Sequence, residues 1–136
     1  MFKNLKNPSS LLLKLPAPLI AGLIWVLSSQ SSLPQPEGVF GLDKAEHFLA
    51  YAVLAAAAGL WIAPASRRRR AWGRFFLIAG IAAAYGLIDE VHQAFVPGRD
   101  CGVWDWIADA LGSVAGAALI RALAPCLDKK PQAMER

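Results

Sequence analysis

Residues 61–74 read Trp61-Ile62-Ala63-Pro64-Ala65-Ser66-Arg67-Arg68-Arg69-Arg70-Ala71-Trp72-Gly73-Arg74. Four arginines here stand between two apolar runs, 42–63 and 72–93, and a fifth, Arg74, lies at the start of the second. Each run has about the 20 residues that a helix needs to cross a hydrocarbon layer of about 30 Å. At their far ends both runs meet acids: Glu37, Asp43 and Glu46 around the first, then Asp89, Glu90, Asp100, Asp105 and Asp109 around the second. Further out lie two more apolar runs, 11–29 and 103–125, and beyond or at their outer ends two more basic groups. These are Lys3, Lys6 and Lys14, and Arg121, Lys129, Lys130 and Arg136.

Charge thus alternates in sign along the chain. The three basic groups hold twelve of the fourteen Lys and Arg, and the two stretches between them hold eight of the ten acids. Four crossings of a membrane put every basic group on one side and nearly every acid on the other. Lys and Arg accumulate on the cytoplasmic side of membrane proteins. The expected fold is therefore all-α: a four-transmembrane-helix bundle with N and C termini cytoplasmic. Residues 1–10 form a cytoplasmic N-terminus, 11–126 the transmembrane domain and 127–136 a cytoplasmic tail. The localisation that follows is a bacterial inner membrane, multi-pass.

Composition agrees. Of 136 residues, 56% are hydrophobic and only 18% charged, against about 25% charged in a soluble domain; the mean hydropathy is +0.40. The length allows one compact unit. A net charge of +4 does not point to nucleic acid, because the basic residues flank apolar runs and do not interleave with aromatics. The first apolar run, with Lys3 and Lys6 before it, also has the look of a signal peptide. No A-x-A site follows Leu27, so an uncleaved anchor is expected. Pro16 and Pro18 fall in its first turns, where proline is tolerated. Cys101 and Cys126 fall on opposite faces of this topology and are not expected to pair.

The loops and helix contacts have their own signals. Val96-Pro97-Gly98-Arg99 predicts a turn, with proline setting φ and glycine supplying a positive φ. Gly112-x-x-x-Gly116 on the fourth helix and Ala55-x-x-x-Gly59 on the second are small-residue spacings that let helices approach closely.

Polar residues gather at the acidic end. Residues four apart share a helix face, which defines three stripes: Asp43, His47 and Tyr51; Tyr85, Asp89 and Gln93; and Asp105, Asp109, Gly112 and Gly116. The two glycines mark the packed face of the last stripe, so Asp105 and Asp109 are expected to point into the bundle. Ionisable groups at membrane depth face an interior or a wet cavity and pair with one another; His47, Lys44 and Arg99 are the expected partners of Asp109. His47 with Asp43 suits a general base and its orienting carboxylate, and Asp89 and Glu90 complete the candidate catalytic set. Asp89, Glu90, Asp105 and Asp109 with His47 suit a divalent metal. Zinc is disfavoured, since neither H-E-x-x-H nor paired cysteines occur. Lys44 and Arg99 suit a phosphate or carboxylate, unless Arg99 is tied to Asp105 or Asp89 by an ion pair. Tyr51, Gln93, Asp105 and Asp109 complete the candidate binding set, and His92 is expected to be merely interfacial.

At these residues the chain resembles the VanZ-like family of small bacterial membrane proteins. The matching segments are Asp43-Lys44-x-x-His47-Phe48-x-x-Tyr51, then Asp89-Glu90-x-x-Gln93-x-Phe95-x-Pro97-x-Arg99, then Asp105-Trp106-x-x-Asp109-x-x-Gly112-x-x-x-Gly116. They cover roughly Leu42 to Leu119. Many members carry Asn where this chain has Asp109, which adds a charge here. The resemblance implies a polytopic cell-envelope protein, in a family named for a protein linked to resistance to the glycopeptide teicoplanin. It brings no agreed reaction.

The leading expectation is an outward-facing polar pocket for an anionic ligand, such as a lipid headgroup or lipid-linked wall precursor. The alternatives are a metal-assisted hydrolase or transferase acting on such a lipid, and a non-catalytic interaction subunit. A transporter fits poorly, because the inner halves of the helices (Leu54–Ala63, Phe75–Ala84, Ser113–Ile120) carry no ionisable residue.

Overall fold

Pro16 opens the first helix in the computed structural model, which describes residues 12–31, 41–62, 71–99 and 101–127. Four helices lie among them, with no strand: α1 (Pro16–Ser28), α2 (Leu42–Ile62), α3 (Ala71–Gln93) and α4 (Val103–Leu127). Three match the apolar runs within the fraying of helix ends. The first is shorter than its run, 13 residues where 11–29 was expected. Proline has no N–H to give and a fixed φ suited to a helix start, so the helix begins there. At 1.5 Å per residue it is about 20 Å long. The arginine run 67–70, most of the loop between α1 and α2, both tails, Asp100 and the side chain of Cys126 lie outside the described residues.

Contacts between ends set the topology. The Trp61 indole donates to the Lys14 carbonyl, joining the end of α2 to the approach to α1. Arg121 stacks over the Trp72 ring at 3.7 Å, joining the end of α4 to the start of α3. Successive helices therefore run antiparallel. Lys14, Arg74 and Arg121 lie at one end of the molecule. Every described acid lies at the other, on the first turns of α2 and α4 and the last turns of α3.

The packing inverts that of a soluble protein. The central cluster is Ala55, Ile78, Ala79, Ala82 and Ala117, and four of its five members are alanines. Large apolar side chains such as Leu23, Leu49, Val53, Phe76, Ile81 and Leu111 are each more than half exposed. α2 and α4, which run in parallel, meet almost backbone to backbone. A Cβ on Gly112 would strike the Phe48 carbonyl, and one on Gly116 the Ala52 carbonyl. Among the described residues, two helices, over Trp72–Gln93 and Val103–Leu123, are long and apolar enough to cross a bilayer.

Candidate functional site

The three polar stripes converge at the acidic end, and α1 closes the group. On α2, His47 Nδ1 lies 2.9 Å from Asp109 Oδ1 on α4, a hydrogen bond that Nδ1 donates when it carries the ring proton. Glu90 on α3 is the third member, with Oε1 3.9 Å from His47 Nδ1. Its other oxygen, Oε2, accepts from the Gly102 backbone N–H at 3.0 Å. Asp109 is wholly buried, as its place on the glycine-marked face requires. Gly86 of α3 makes room for it, for a Cβ there would stand 2.9 Å from Asp109 Cβ and Oδ2.

A second group joins α1 to α3. Asp89, wholly buried, accepts on Oδ2 from the Ser28 hydroxyl at 2.7 Å and the Gln93 amide at 3.1 Å. About one turn to either side along α3, Tyr85 donates to the Ala21 carbonyl at 2.7 Å, and His92 stacks on Trp25 with ring centroids 3.9 Å apart. Arg99 reaches back to the end of α1: Nη2 donates to the Leu27 carbonyl at 2.7 Å and Nε to the Gln30 carbonyl at 2.9 Å. Cationic side chains suit helix C-termini because the last carbonyls there lack intrahelical partners. The turn that delivers Arg99 is as expected. Arg99 N–H bonds to Val96 O at 3.2 Å across Pro97 and Gly98, and Gly98 has φ +82°.

The fold chooses partners that spacing along one helix does not. His47 and Asp43 share a face, yet Asp43 bonds to Lys44 at 2.7 Å, and Asp109 orients the imidazole. A buried carboxyl needs a partner more than a half-exposed one does, and α4 brings Asp109 against His47. Lys44 bridges Asp43 and Asp105, the second at 2.6 Å, so its charge is matched by two carboxylates. Arg99 forms an ion pair with neither Asp105 nor Asp89; it grips neutral carbonyls instead. Of the five candidate metal ligands, only His47, Glu90 and Asp109 come together, with donor atoms all within 4.8 Å of one another. Asp105 is taken by Lys44, and Asp89 by Ser28 and Gln93. Tyr51 is buried beside both groups, its ring 6.2 Å from that of Tyr85.

Ser28 and Trp25 were not legible as site residues. Ser28 ends an otherwise apolar run, and that was its only signal. His92 packs on α1 through the Trp25 ring.

A cavity of about 500 Å³ opens among α1, α2 and α3, lined by Ser28, His47, Tyr51, Asp89, Gln93 and Arg99 together with apolar groups and Asp43 and Glu46. A second, of about 350 Å³, lies about one turn further along the same three helices. Its walls include Ala21, Leu54, Ala58, Ile81 and Tyr85, and are almost wholly apolar.

Small residues inside, large apolar ones outside and ionisable groups gathered in the interior are the build of a helical membrane protein. The VanZ/LLP1 family model matches residues 11–124. The chain belongs to that family, and the match takes in α1, which the motif segments from Leu42 onward did not reach. No curated protein matches it significantly, and no solved structure does.

Proposed function

We propose that this chain crosses the cytoplasmic membrane four times, with both termini in the cytoplasm, and that its outward cavity holds the headgroup of a phosphate-bearing lipid. A lipid headgroup or a lipid-linked wall precursor has that chemistry. One observation carries the reading: a cavity that Ser28, His47, Gln93 and Arg99 reach and a second, almost wholly apolar one lie one after the other along α1, α2 and α3, the order that a ligand with a polar head and a hydrocarbon chain requires. Arg99 supplies donors to the head, because its guanidinium has N–H groups beyond the two that it gives to the Leu27 and Gln30 carbonyls. The short α1 spans the hydrocarbon layer together with Leu12–Leu15 before it. A hydrolase or transferase acting on that lipid is the second reading, favoured by the donor trio that adjoins the cavity through His47.

The test is lipid binding by native mass spectrometry of the purified protein. A polyprenyl phosphate or phosphatidylglycerol should bind at least tenfold more tightly than the matching polyprenol or diacylglycerol. His47→Ala, Asp89→Ala and Arg99→Ala should each weaken binding at least tenfold and still insert. In intact cells the exposed Cys101 should react with a membrane-impermeant maleimide. Equal binding of the phosphate-free lipids, or unaltered binding in all three variants, removes the ligand; a Cys101 protected until the membrane is broken removes the topology.

A further inference from the structure

We propose that His47, Glu90 and Asp109 form a site for one divalent first-row metal ion, held between α2, α3 and α4. This centre stands independently of whether the neighbouring cavity takes a lipid.

Three observations lead to it. The first is geometric. Two donors bound to one ion at about 2.1–2.2 Å are at most about 4.3 Å apart. His47 Nδ1 lies 2.9 Å from Asp109 Oδ1 and 3.9 Å from Glu90 Oε1, both inside that limit, and all three donor atoms lie within 4.8 Å of one another, so that shifts of a few tenths of an ångström bring them onto one ion. The second is an unmet demand. Glu90 has only 8% of its side chain exposed, and Oε1, which faces His47, has no hydrogen-bond partner. Asp109 Oδ2 is also buried without one. Buried polar atoms are nearly always satisfied, and the exceptions mark catalytic roles, strain or a missing water or ion. The third is charge. Two carboxyl groups face a single imidazole, which carries at most one positive charge. Burying unmatched negative charge is costly, and a dipositive ion removes the mismatch.

The surroundings fit a metal centre. The Gly102 N–H fixes Glu90 through Oε2, leaving Oε1 turned to the cluster. Gly86 leaves the space that Asp109 occupies. His47 lines the cavity, which provides a path of entry. One imidazole nitrogen and two carboxylate oxygens suit Mn²⁺, Fe²⁺ or Zn²⁺ better than a site made only of oxygen would. The ligands come from three helices, so the local spacings that betray metal sites in a sequence are missing.

The competing way to balance the charge is a proton on one of the acids, and the experiment separates the two. Mn²⁺ is titrated into the full-length protein in detergent and read by the loss of the free-ion EPR signal. Wild type should take up one Mn²⁺ per chain in the micromolar range. Asp109→Asn and Glu90→Gln, near-isosteric and checked for helicity by circular dichroism, should each weaken uptake at least 30-fold. Asp43→Asn removes a carboxyl of the same rim outside the trio and should bind as wild type does. Mn²⁺ should also raise the melting temperature of wild type and not that of the two trio variants, because a ligand that binds only the folded state stabilises it. If one trio variant fails to fold, the other and His47→Gln give the same reading. Absence of wild-type uptake below millimolar Mn²⁺, or uptake by the folded trio variants within threefold of wild type, overturns the site and leaves protonation as the balance.

Discussion

Gly112→Ala is expected to destabilise the protein by about 3 kcal/mol, the upper end of what overpacking costs, and Gly112→Ala with Gly116→Ala to prevent folding. The reason lies in what the new methyl groups would meet. At Gly112 a Cβ overlaps the Phe48 carbonyl and stands 3.1 Å from the Ala52 nitrogen; at Gly116 it overlaps the Ala52 carbonyl and stands 3.0 Å from Ala55 Cβ. These are mainly backbone atoms of α2, with no rotamer to change. The helices must separate along their whole shared face, and that face also positions His47 against Asp109 and Lys44 against Asp105. Gly80 is the control, for nothing lies within 4 Å of a Cβ there, and alanine has the better helix propensity. Thermal or SDS unfolding in micelles should order the variants as Gly80→Ala at or above wild type and Gly112→Ala well below. Equal stability of Gly80→Ala and Gly112→Ala would show that α2 and α4 do not touch as described.

Asp89→Leu should release α1 from the bundle. This helix has 13 residues and mostly exposed large side chains, so its polar ties to α3 matter. Leucine removes the acceptor for both Ser28 and Gln93. Leaving a buried donor unsatisfied costs about 1–3 kcal/mol, which places the combined loss for the two donors at about 2–6 kcal/mol. Arg99→Lys should add to it, since one ammonium cannot reproduce the Nε and Nη2 grip on Leu27 and Gln30. Trp25 is the reporter because it stacks on His92. Its fluorescence should shift and become more quenchable in Asp89→Leu, while the α2–α4 core stays folded by circular dichroism. An unchanged Trp25 signal in the double variant would mean that apolar contacts alone hold α1.

Much of this was readable before any coordinates. The sorting of charge by sign placed Lys14, Arg74 and Arg121 together at one end, opposite the described acids. The glycine spacing identified the α4 face that buries Asp109, and Pro97-Gly98 identified the turn that carries Arg99. These signals are local. A period of 3.6 residues, a proline or a positive φ is decided within a few residues of chain, and the sign of a loop by its own side chains.

The pairing of groups across helices was decided only by the fold. Asp43 with His47 is a sound reading of a single face, but the fold sets Asp109 on His47, Lys44 between two carboxylates and Arg99 on the end of α1. Which acid meets which base depends on how far one helix is turned and slid against another. Here Gly112 and Gly116 set that register by letting two backbones touch, and so bring His47, Glu90 and Asp109 from three separate helices into one group.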